Sequence, residues 1–153
     1  MQNILFSNIS KDDFSSIKKI FSIFKEWKSD DLCEDDNKVV EDSLKIIDIL
    51  AKRYSTKFWH PTKAEVDEYF KRYNKLSFEE KINEAIINKE RPWDFDSWIS
   101  AIICAEIALY DLLEDGEDYK IILEQLAWPS GGIEAMENLI KIYDGEIIQN
   151  DML

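Results

Sequence analysis

The sequence predicts an all-α fold: one irregular helical domain over residues 1–153, with about seven helices gathered around a central apolar helix at about 97–114. Three observations predict it. Only 4 Gly and 3 Pro occur in 153 residues, sparse turn chemistry for a chain of many short strands. Ser10 and Asp13, Thr62 and Glu65, and Ser77 and Glu80 are spaced as capping boxes, in which the first residue bonds the backbone N–H three positions on. Apolar residues recur three and four apart along most of the chain, the period of a helix buried on one side.

Taken in order, the first helix follows Ser10 and carries Phe14, Ile17, Phe21, Phe24 and Trp27 on one stripe. An acidic loop from Ser29 to Asn37 separates it from a second helix, about 38–54, whose inward face reads as Val40, Leu44, Ile47, Ala51 and Tyr54, with Ser43, Ile46 and Leu50 beside them. His60-Pro61 breaks the chain before a third helix with Val66, Tyr69, Phe70 and Tyr73 in its stripe. The fourth opens at Ser77 and turns Phe78, Ile82, Ala85 and Ile86 inward. Asp94 or Asp96 caps the apolar fifth helix, which runs to Glu114 through Trp98, Ile102, Ala105, Leu109 and Leu112. Beyond Gly116 a sixth helix holds Tyr119, Ile122, Leu123 and Leu126. Ser130 caps the seventh, which contains Ile133, Met136, Leu139, Ile140 and Tyr143 and stops at Asp144-Gly145.

Composition narrows the function classes. An apolar fraction of 45% with 33% charge is globular rather than disordered. No run reaches the roughly 18 apolar residues of a membrane span. The start, Met1 to Ser7, lacks the basic and long apolar regions of a signal peptide. Cys33 stands among carboxylates and Cys104 within an apolar run, where it reads as a small core residue, so a reduced, cytoplasmic protein is expected.

Charge is uneven. The net charge is −13. Residues 1–91 hold 17 basic and 18 acidic residues, a net of −1, and residues 92–153 hold 2 and 14, a net of −12. One expected docking face is therefore Asp94, Asp96, Asp111, Glu114, Asp115, Glu117 and Asp118. A second acidic cluster, Asp30, Asp31, Glu34, Asp35 and Asp36, fills the loop after the first helix. Trp93 is the candidate aromatic anchor beside the first cluster. The plain alternative is that these are solvated polar faces.

No catalytic or metal signature accompanies this charge. Asp30 to Asp36 lacks the glycine and the alternating ligands of a calcium loop. His60 is the only histidine, and its Trp-His-Pro setting reads as a structural turn. Glu106 interrupts the apolar helix at the edge of its stripe. Lys52 to His60 interleaves basic and aromatic residues, as a single-strand nucleic-acid surface does, but the overall charge opposes phosphate. No metal, cofactor or nucleic acid is expected. The profile is that of small acidic helical proteins that neutralise a basic protein, as bacterial immunity proteins and antitoxins do, a likeness of class and not of sequence. A non-catalytic structural or adaptor subunit is the alternative, and an enzyme of an unfamiliar helical family using Glu106 or His60 ranks last.

Overall fold

A computed structural model describes residues 1–88, 91–127 and 131–151. Within them the chain is a mixed α/β protein, which overturns the all-α expectation. The elements run β1 (Gln2–Ser7), α1 (Lys11–Asp30), α2 (Asn37–Leu50), α3 (Lys52–Thr56), α4 (Lys63–Tyr73), α5 (Phe78–Asn88), α6 (Phe95–Cys104), β2 (Ile107–Asp115), β3 (Asp118–Gln125), α7 (Gly131–Ile142) and β4 (Glu146–Asn150). The strands form an antiparallel sheet in the order β2-β3-β1-β4.

Alternation builds the sheet. β1 buries Ile4 and Phe6, and β3 buries Tyr119, Ile121 and Leu123. β2 buries Ile107, Leu109 and Leu112. These side chains meet α1, α6 and α7 on one side of the sheet, where Phe14 of α1 stacks on Tyr119 at 4.3 Å and Trp98 of α6 meets Phe24 of α1 edge-on at 5.3 Å. The other side, with Leu5, Tyr110, Leu113, Lys120 and Ile122, has no buried residue.

The expected apolar helix at 97–114 is cut in half. α6 stops at Cys104 because the Lys28 ammonium of α1 donates to the carbonyls of Ile102, Ile103 and Ala105, which ends the helical ladder. The chain leaves extended, and residues 107–115 pair with β3. The expected sixth helix is β3 itself. The two strands join through Gly116 and Glu117, with Gly116 at φ 66° and Glu117 not at positive φ, the pattern of a type II′ hairpin turn.

The helices α1, α4 and α5 start at the expected boxes. Ser10 Oγ accepts from Asp13 N at 3.1 Å, Thr62 Oγ1 from Glu65 N at 3.2 Å, and Ser77 Oγ from Glu80 N at 3.2 Å. Their faces differ from expectation in two places. α2 buries Val39, Asp42, Ile46 and Leu50, leaving Val40 and Leu44 exposed, and ends at Leu50, with Ala51 at φ 53°. Its rotation follows from Asp42, which accepts from the buried Trp27 Nε1 at 2.9 Å. α5 turns Phe78, Ile82, Ala85 and Ile86 outward. Cys104 is exposed, not a core residue. The expected cap Ser130 and the Trp128-Pro129 turn lie outside the described residues.

Candidate protein-docking site

The β2–β3 hairpin gathers Asp111, Glu114, Asp115, Glu117 and Asp118. It does so because a two-residue turn joins the strands and pairs Asp115 with Asp118 across it. Asp111, Glu114, Asp115 and Glu117 are exposed and Asp118 is half-buried. Among the described residues none of these carboxylates is in an ion pair. Asp111 Oδ1 accepts from the neighbouring Leu112 N, at 2.8 Å. Crowded carboxylates outside ion pairs raise the local negative potential, which attracts a basic surface.

β2 is also an edge strand, so one row of its backbone N–H and C=O groups faces outward. A bulge between Leu109 and Asp111 twists this edge and, with the charges, guards it against self-pairing. Beside the acids lie two exposed apolar side chains that sequence reasoning missed, Tyr110 and Leu113. The Tyr110 hydroxyl donates to Glu124 Oε2 at 2.7 Å. That bond, ahead of burial and the carboxylate's charge, pushes the hydroxyl above the ordinary tyrosine value. Leu109 to Glu114 runs as two apolar side chains and then an acid, twice over, which reads as a helix because the bulge hides the strand period.

The remaining expected residues sit elsewhere. Asp94 caps α6 by accepting from Ser97 N at 3.0 Å, and Asp96 lies exposed in its first turn. Trp93 is half-buried against the core, and its carbonyl accepts from Trp59 N at 2.9 Å. The loop Asp30 to Asp36 lies by the end of α6, where Glu34 Oε1 accepts from Cys104 Sγ at 3.2 Å. That is the opposite end of β2 from the hairpin tip, about 25–30 Å along the strand. The bond to Glu34, then burial, holds the Cys104 thiol above its ordinary value. The acid surplus is therefore divided among three places, and the hairpin is the one that also carries exposed apolar side chains, Tyr110 and Leu113.

Three other candidates resolve into structure. His60 Nε2 donates to the Tyr54 carbonyl at 2.7 Å, Glu106 is exposed, and Phe58 of the basic-aromatic segment is buried against Phe95 and Trp98. Among the described residues no three His, Cys, Asp or Glu side chains converge as metal ligands, and no helix is long and apolar enough to cross a membrane. A shallow pocket of about 150 Å³ opens on the uncovered side of the sheet between Asn3, Leu5, Asp115, Lys120, Gln149 and Asp151. Small-molecule sites run from about 300 Å³ upward. Comparison with family models, with characterised proteins and with solved structures gives no match, so the site is read from its geometry and charge.

Proposed function

We propose that this chain is a binding protein that neutralises a basic protein partner, an inhibitor of the immunity-protein or antitoxin kind acting in the cytoplasm. One observation carries the reading: Asp111, Glu114, Asp115, Glu117 and Asp118 share one hairpin, and none of them is in an ion pair among the described residues. Such a cluster speeds encounter with a basic surface by about 10- to 1000-fold at low salt. Tyr110 and Leu113, on the same strand, replace Trp93 as the apolar anchors that are buried on contact. The partner is inhibited by occlusion, so the chain performs no chemistry. Two exposed free thiols, Cys33 and Cys104, support a reducing compartment. A second reading, a non-catalytic adaptor subunit of a larger assembly, draws support from the uncovered apolar side of α5.

The test is retention of partners on the immobilised chain at low and high salt, followed by association kinetics with the purified partner. The quadruple variant Asp111→Asn, Glu114→Gln, Asp115→Asn, Glu117→Gln is expected to bind about 10-fold more slowly at about 20 mM salt and to lose most of its salt dependence. An association rate equal to that of the unaltered chain, or a retained partner that is acidic, sinks the proposal.

A further inference from the structure

α4 and α5 form a helical hairpin that stands clear of the core: among the described residues no hydrophobic side chain from 63 to 87 belongs to the core or packs against it. The inside of the hairpin is half-buried Val66, Tyr69 and Tyr73 on one helix and Lys81 and Glu84 on the other. Arg72 pairs with Glu84, and the Lys81 ammonium lies 5.1 Å from the Tyr73 ring centroid. With its polar side turned inward, α5 presents Phe78, Ile82, Ala85 and Ile86 to solvent. The helical rotation of about 100° per residue brings Phe70 of α4 to the same side.

We propose that a second copy of this chain covers this face, two hairpins packing about a two-fold axis into a four-helix bundle. Area supports it. Phe70, Phe78, Ile82 and Ile86 are 54%, 79%, 46% and 62% exposed. At about 200 Å² for a side chain of this size they offer about 500 Å² of apolar surface per copy, and about 1,000 Å² in a pair. Interfaces are about 60% apolar, so the whole contact comes to about 1,600 Å², the standard size of a specific interface.

Charge supports it too. Residues 63–88 carry 5 Lys+Arg and 6 Asp+Glu, near neutrality in a chain of net −13, so two copies meet here without the repulsion the acidic strands impose. The stripe is self-complementary. An antiparallel approach centred on Ile82 sets Phe78 of each copy against Ile86 of the other. A basic partner of the β2–β3 hairpin gains nothing from this apolar face, so the two surfaces serve separate contacts.

The experiment is the mass in solution by sedimentation equilibrium between roughly 1 and 200 µM, the range that suits the weak end of interfaces this size. The unaltered chain is expected to rise from 18.0 kDa toward twice that value, about 36 kDa. The variant Ile82→Glu, Ile86→Glu is expected to remain at 18.0 kDa. Because both side chains are already exposed, its thermal midpoint stays within about 2 °C of the unaltered chain, which excludes misfolding. A chain that stays monomeric at the highest concentration overturns the proposal and leaves a foreign helix or a lipid surface as the cover. A dimer that survives Ile82→Glu, Ile86→Glu overturns it as well. The quadruple acidic-hairpin variant dimerises like the unaltered chain, which separates this result from the docking reading.

Discussion

Asp42 is the residue on which α2 turns. It is buried, accepts from Trp27 Nε1, and faces Lys38 and Lys45 at 3.4 Å. Burial alone pushes its carboxyl up, but the indole N–H and the two ammonium groups outweigh burial and hold it below 3.8. A carboxylate with a lowered folded value contributes stability that is present above 3.8 and lost as pH falls through the folded value. Asp42→Ala leaves the indole donor unsatisfied and is expected to cost about 1–3 kcal/mol at pH 7, with a red shift of tryptophan emission. In urea titrations the gap between the unaltered chain and Asp42→Asn should close below pH 3.8. A gap that persists undiminished at acid pH would show that the charge is irrelevant. No helical period foretells this burial, because a wheel scores Asp42 as solvent-facing and cannot see the indole that accepts it.

At the scale of elements, the helix starts were legible and the strands were not. Ser10, Thr62 and Ser77 carry their caps within four residues of sequence, and each box forms. β2 hid behind its bulge. Ile107 and Leu109 alternate, the bulge shifts the register, and the next buried residue is Leu112. The spacing from 109 to 112 then imitates a helical turn. β3 had no such disguise, since Tyr119, Ile121 and Leu123 alternate with Lys120, Ile122 and Glu124, and Gly116 marks the hairpin.

The junction between α6 and β2 rests on Lys28, a contact 74 to 77 residues distant in sequence. Lys28→Met keeps the stem but leaves the carbonyls of Ile102, Ile103 and Ala105 without their donor, at an expected cost of about 1–3 kcal/mol at pH 7. Burial, only partly offset by Asp31, Cys104 and Glu106, lowers the Lys28 value from 10.5. The unfolded chain therefore holds the proton longer, and Lys28 adds stability as pH climbs from the folded value toward 10.5. The margin of the unaltered chain over Lys28→Met should widen across that range in urea titrations. A narrowing margin would reverse the assigned direction.

For the whole molecule, the surplus of acid in residues 92–153 was legible as a count, but its placement was not. Asp94 and Asp96 sit at the start of α6, the loop Asp30 to Asp36 sits at one end of β2, and the other five carboxylates cluster at the far end. A sequence read as helices puts Asp111 and Glu114 on one stripe and Asp118 beyond Gly116, at the next helix. The sheet instead folds them around a turn, which crowds them more closely. Crowding outside ion pairs has a cost that the fold carries at low salt, because like charges within a Debye length of about 10 Å at 0.1 M repel. The chain is therefore expected to gain stability on screening. Raising sodium chloride from about 20 to about 300 mM should lift the thermal midpoint by about 2–4 °C, close to 1 kcal/mol for a chain of this length. The quadruple variant, which removes four charges from the hairpin, should start from a higher midpoint at low salt and respond less. Scanning calorimetry at one fixed protein concentration measures both. If the midpoint falls with salt, or if the variant responds as strongly as the unaltered chain, the hairpin carboxylates are not crowded enough to repel, and their claim to steer a basic partner weakens with them.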